Sequence, residues 1–253
     1  MMLIMKKKTL VASVFMLSTG LSSSLSMAEE TVSADIVSES TSSSTSSSTS
    51  SSSNLNAFCI QMDEIVAEIE KTKHKAENSF DEISSNVDSL KDFHKQNLDI
   101  VAAISTTQAF LREQAESLKE SVEGSEAKEA FQEKMKDAEQ KLNELKESFS
   151  GLAQKAHDKM EELFHKAAEK VRNFKKDHPD AQLSQDQQLD IYAHFKQGTC
   201  GDYTGGSVLN PLDLAAKAKA TKWESLQGMS REDAMHAYIS KVEALESELA
   251  ETI

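Results

Sequence analysis

Residues 191–206 read IYAHFKQGTCGDYTGG, and they stand apart from a chain otherwise rich in serine tracts and charged helix-formers. Tyr192, Phe195 and Lys196 are spaced i, i+3, i+4, so two aromatic rings and an ammonium share one helical face. An aromatic plate beside a lysine suits a purine carrying a phosphate, because the ring stacks on the base and the ammonium neutralises the anion. The glycines that follow let the chain leave without covering that face. Working back, LSQDQQLDIYAHFKQGT is a helix with Ser184 as its N-cap, preceded by a loop at Pro179. MEELFHKAAEKVRNF before it is amphipathic, with Phe164, Ala167, Ala168, Val171 and Phe174 on one side. Working forward, NPLDLAAKAKATKWESLQG is a weaker helix ended by Gly228. Ser230 then caps SREDAMHAYISKVEALESELA, whose first turn carries Glu232 and Asp233. Four short helices of this kind make one small bundle.

The whole chain is acidic, with Asp+Glu 42 against Lys+Arg 28 and a formal net charge of −14, which excludes a nucleic-acid backbone as the main partner. A local pair of lysines still outvotes that field at short range. Only 8 glycines and 2 prolines among 253 residues point to an all-α protein. There is no nucleophile elbow, P-loop or HExxH, and the 7 histidines lack ligand spacing, so the sequence reads as a non-enzyme without metal or cofactor.

Residues 1–28 have the form of a signal peptide, with Lys6, Lys7 and Lys8 ahead of a short apolar run and Ser26-Met27-Ala28 at the cleavage position. An uncleaved anchor is the alternative, although the run is short for a ~30 Å hydrocarbon core. The expectation is export to the periplasm or beyond, with delivery to a host cell as one destination. Residues 29–56, dominated by serine and threonine, are expected to form a disordered linker. From Cys59 to Val122, positions alternately three and four apart are mostly apolar, with bends expected at Ser84-Ser85 and Ser105-Thr106-Thr107. A second seam runs from Phe131 to Ala156 after Gly124. Residues 57–156 therefore read as an antiparallel helical hairpin or coiled coil, a spacer or a homo-oligomerising element. Its mixed Glu/Lys faces argue for weak or no membrane association. Cys59 and Cys200 allow one disulfide in an exported chain, the alternative being two separate small apolar residues.

The 157–253 segment resembles the acyl-CoA-binding protein family. The family's YxxYKQxTxGD helix is met by Tyr192, Phe195-Lys196-Gln197, Thr199 and Gly201-Asp202. Its LDxxxKAKxxxW helix is met by Leu212-Asp213, Lys217-Ala218-Lys219 and Trp223, and its closing helix by Ser230, Glu232-Asp233-Ala234-Met235, Tyr238 and Lys241-Val242. The resemblance implies a four-helix bundle of up-down-down-up topology that binds medium- or long-chain acyl-CoA. It also implies that Lys196 and Lys219 contact the ligand's 3′-phosphate together with the Tyr192 hydroxyl, while Phe195 packs on adenine. Tyr238, Ala167 and Leu189 would lie near the ligand, and Trp223 would be core. The chain departs from the pattern at Phe195 for tyrosine, Ala220 for tryptophan and Cys200 for valine, and these changes bear on affinity and chain-length preference. A structural or adhesive surface protein with a degenerate ligand site is the competing function.

Overall fold

The computed structural model describes residues 47–119, 124–205 and 213–251. The stretch expected to be a signal peptide and most of the expected Ser/Thr-rich linker lie outside the described residues. Every regular element among those described is a helix, so the protein is all-α as its composition requires. In chain order these are α1 (Ser47–Ile83), α2 (Val87–Lys119), α3 (Ser125–Asp177), α4 (Gln185–Cys200), α5 (Leu214–Glu224) and α6 (Arg231–Glu251). None is long and apolar enough to cross a membrane, among the described residues.

Three local outcomes differ from the sequence expectations. First, α1 begins at Ser47, inside the stretch expected to be linker. Extending an existing helix fixes one residue per hydrogen bond gained, so poor helix-formers are recruited at its end. Second, Ser84-Ser85 is a full break rather than a bend, and the long seam is two helices. Asn86 restarts the chain as a cap, its Oδ1 accepting from Ser89 N at 2.8 Å. Ser105, Thr106 and Thr107, by contrast, leave α2 unbroken because each hydroxyl donates to the carbonyl four residues back, at 2.9–3.1 Å. Third, the helix expected to end near residue 156 does not end. The apolar series Leu152, Ala156, Met160, Phe164, Ala167 keeps its three- and four-residue spacing, and α3 runs unbroken for 53 residues.

The described residues divide into two compact units, one drawn from residues up to 79 with 96–152, the other from 80–95 with 153 onward. In the first, three helical segments pack where a two-helix hairpin was expected. Gln108 and Arg112 of α2 meet Asn143 and Glu139 of α3, so these two run antiparallel. Phe58 and Asp63 of α1 meet Phe131 and Lys134 of α3, so those two run parallel. Ile69, Ile104, Leu142 and Phe149 are sealed in its core.

The second unit is built on a core of Val87, Met160, Phe164, Ala167, Ile191, Met235, Tyr238, Ile239 and Val242. The C-terminal half of α3 and α6 run parallel, as the contacts Phe164–Tyr238 and Lys170–Glu246 show. α4 opposes them, with Asp190 bonded to Lys241 and Arg231 bonded to the carbonyls of Gly198 and Thr199. α5 runs with α4, since Trp223 at its end reaches Gln197 and Gly201 while Lys219, one turn earlier, lies over Tyr192. The order along the chain is thus up-down-down-up. The two caps named from sequence hold their entrances, Ser184 in a reciprocal capping box with Gln187 on α4 and Ser230 accepting from Asp233 N, and Asp213 caps α5 besides. The first turns of α2 also belong to this unit. Val87 enters the core, Lys91 pairs with Asp233 at 2.6 Å, and His236 bonds Asp88.

Candidate functional site

Tyr192 and Lys196 lie one turn apart on α4, and Lys219 and Trp223 one turn apart on α5. The two helices bring these pairs face to face. Lys219 Nζ sits 5.2 Å from the Tyr192 ring centroid, and Lys196 Nζ sits 4.9 Å from the Trp223 ring. Two ammonium groups from neighbouring helices therefore share one cleft with two aromatic rings. Lys196 also donates to Cys200 Sγ at 3.2 Å, and Thr199 Oγ1 lies 3.5 Å from the same sulfur. Hydrogen bonding from Thr199 and then Lys196 lowers the Cys200 pKa below the ordinary thiol value.

Phe195 takes the face pointing away from α5. It stacks on Phe164 at 5.5 Å with the planes only 12° apart, so one side of its ring is occupied and only part of it remains open. Tyr238 wedges against both rings at 5.0 and 5.7 Å and is 2% exposed. Burial pushes its phenol up to about 12, so the group stays protonated and able to donate. Ala167 is buried in the same core, whereas Leu189 is half-buried on α4, one turn before Tyr192. Lys217 is exposed near Lys219. The structure thus gathers Tyr192, Lys196 and Lys219 at the α4–α5 cleft, and Phe195, Tyr238 and Ala167 around Phe164.

Of the two readings of the cysteines, the structure has the separate one: Cys59 is a buried free thiol in the first unit, and Cys200 is an exposed free thiol in the second, engaged by Lys196. One correction belongs here. Trp223 lies outside the buried core, half-buried at its edge, with Tyr203 against it at 5.1 Å and Lys196 over its ring.

Two positioning groups escaped the sequence reading. Gln197 is fully buried and saturated: Nε2 donates to Asp202 Oδ1 and Met229 O, and Oε1 accepts from Trp223 Nε1. It thereby ties the end of α4 to the end of α5 and the approach to α6. Asp202 closes the latch by accepting from Gly228 N at 2.8 Å. Asp190 bonds both Lys222 of α5, at 2.9 Å, and Lys241 of α6. Burial raises its pKa, but the two lysine hydrogen bonds outweigh that and bring it to about 2. Gln197 and Asp202 were visible as motif positions without a role. The Asp190 cluster carried no local signal.

Residues 161–242 match the profile of the family described as acyl CoA binding protein. An acyl-CoA-binding protein homolog of Manduca sexta is 43% identical over 86 residues, which is 34% of this chain and 90% of that protein. The chain belongs to the acyl-CoA-binding protein family. The acyl-CoA-binding protein of Dictyostelium discoideum is 37% identical over 89 residues, 34% of this chain and 96% of its own length. Acyl-CoA-binding protein homolog 1 of Caenorhabditis elegans is 44% identical over 62 residues, 24% of this chain and 71% of its own. The match to the family profile ends midway along α6 and begins only at residue 161, within α3.

Proposed function

We propose that the protein binds medium- to long-chain acyl-CoA without transforming it, as a carrier or buffer of the ester. What supports this most is the meeting of Lys196 and Lys219 with two aromatic rings across the α4–α5 cleft. In the reading, both ammonium groups take the 3′-phosphate, Tyr192 adds its hydroxyl, and the open part of Phe195 receives adenine. Lys196 gives up a thiol and a ring face to do so, a weak set of partners that a phosphate dianion displaces readily. The acyl chain would lie in an apolar groove alongside, each sheltered methylene adding about 0.8 kcal/mol, while Phe164 and Tyr238 stay closed in the core and support Phe195 from behind. The signal-peptide form of residues 1–28 extends the proposal to an exported chain that meets its ligand outside the producing cytosol.

Calorimetry with palmitoyl-CoA tests the binding. A charge-assisted contact contributes about 1.5–3 kcal/mol, so Lys219→Ala should weaken binding at least about tenfold. That penalty should largely vanish when palmitoyl-dephospho-CoA replaces the ester. No heat with the wild-type chain would remove the function. An equal penalty on both ligands would leave the function standing and remove the phosphate grip.

A further inference from the structure

A second cluster of donor atoms lies on α3, on residues the acyl-CoA reading does not use. His157, Asp158 and Glu161 bring one imidazole nitrogen and two carboxylates within 4.8 Å of one another. His157 Nδ1 is shut off from solvent and has no hydrogen-bond partner, a costly condition for an imidazole nitrogen. Asp158 Oδ1 lies 3.8 Å from a His157 nitrogen, too long for a hydrogen bond. Two metal–ligand bonds of about 2.1 Å meeting at a tetrahedral angle hold their donors about 3.4 Å apart. A small movement of the exposed Asp158 side chain brings its oxygen from 3.8 Å to that spacing.

The other ring nitrogen supports the same assignment. His157 Nε2 faces Glu232 Oε1 of α6 at 3.5 Å. A carboxylate on that side favours the Nε2–H tautomer and turns the Nδ1 lone pair towards Asp158, the arrangement by which a carboxylate orients a metal-binding histidine. The ring is about three-quarters buried, and His94 packs against it with centroids 5.9 Å apart. His94 is itself held by its Nδ1 contact to Ala153 O at 2.8 Å, so the wall is fixed. Asp158 is steadied by Gln154 Nε2 at 2.8 Å, and Glu161, four residues from His157 on the helix, has only the distant His165 at 3.9 Å as its competing partner.

We infer that His157 Nδ1, Asp158 and Glu161 form a site for a divalent first-row cation of zinc type, with Glu232 as a positioning residue. One imidazole with two carboxylates suits zinc or manganese, and a single helical turn supplying all three leaves an open position for water.

The test is zinc titration of the chelator-treated mature chain by calorimetry, in a Cys200→Ala background that removes the exposed thiol as a rival ligand. One saturable equivalent is expected. His157→Gln and Glu161→Gln should each weaken it at least tenfold, and Glu232→Gln by a smaller factor, with helix content by circular dichroism unchanged. Because Glu161 is exposed, its variant remains informative if His157→Gln fails to fold. Absence of a saturable equivalent, or its retention in Glu161→Gln, overturns the site. Palmitoyl-CoA binding should be indifferent to all three variants, so failure here does not bear on the acyl-CoA reading.

Discussion

Replacing Asp190 by asparagine removes one charge from the point where α4, α5 and α6 meet. The aspartate is held at about 2 against an ordinary 3.8, and its side chain is 27% exposed. At 1.36 kcal/mol per pH unit, that difference corresponds to roughly 2 kcal/mol at neutral pH. Lys222 and Lys241 are 39% and 36% exposed, so water and salt screen part of it, and about 1–2 kcal/mol is the expected loss. The sign follows from a folded-state pKa below the unfolded one. The contribution is complete above about pH 5 and disappears as pH falls towards 2. Urea unfolding followed by Trp223 fluorescence is the assay, since this sole tryptophan reports from the same cleft. Wild type and Asp190→Asn should differ at pH 7, converge near pH 2, and differ less at 1 M salt, where the screening length is about 3 Å. A gap independent of pH, or none at pH 7, would refute the electrostatic account.

Two further outcomes follow from the latch and the leader. Gln197→Ala strips partners from Met229 O, Asp202 and Trp223 at once, and should cost about 2–4 kcal/mol in the same urea experiment, with Trp223 emission shifting to the red. Cell fractionation with N-terminal sequencing should find a chain beginning near Glu29 outside the cytosol. A full-length chain confined to the cytosol would end the export proposal.

The bundle's helices were legible because their boundaries are written locally. Ser184 with Gln187 and Ser230 with Asp233 are caps within three residues of one another, and structure formed at each as the spacing required. The cleft was legible only on α4, where Tyr192 and Lys196 at i, i+4 need no knowledge of tertiary packing to share a face; Phe195, read onto that same face, turns instead to Phe164 and Tyr238. The seam from Cys59 was harder. The hydroxyl runs Ser84-Ser85 and Ser105-Thr106-Thr107 look alike in sequence, yet a capping asparagine follows only the first, while the second satisfies its hydroxyls inside the helix. The charge cluster on Asp190 and the Gln197 latch join residues 26 to 51 positions apart, and no periodicity announces such contacts. Trp223 misled because a lone tryptophan in a small bundle invites burial, whereas here its indole N–H serves Gln197 and Gly201 at the rim.

The inclusion of residues 80–95 in the second unit bears on how portable this module is. A fragment trimmed to the matched 161–242 span would lose Val87 from its core and leave Asp233 and His236 without Lys91 and Asp88. The matched segment takes up 90% and 96% of two relatives' own length. In this chain, a piece that keeps the same core whole has to reach back past the start of α3 to residue 80.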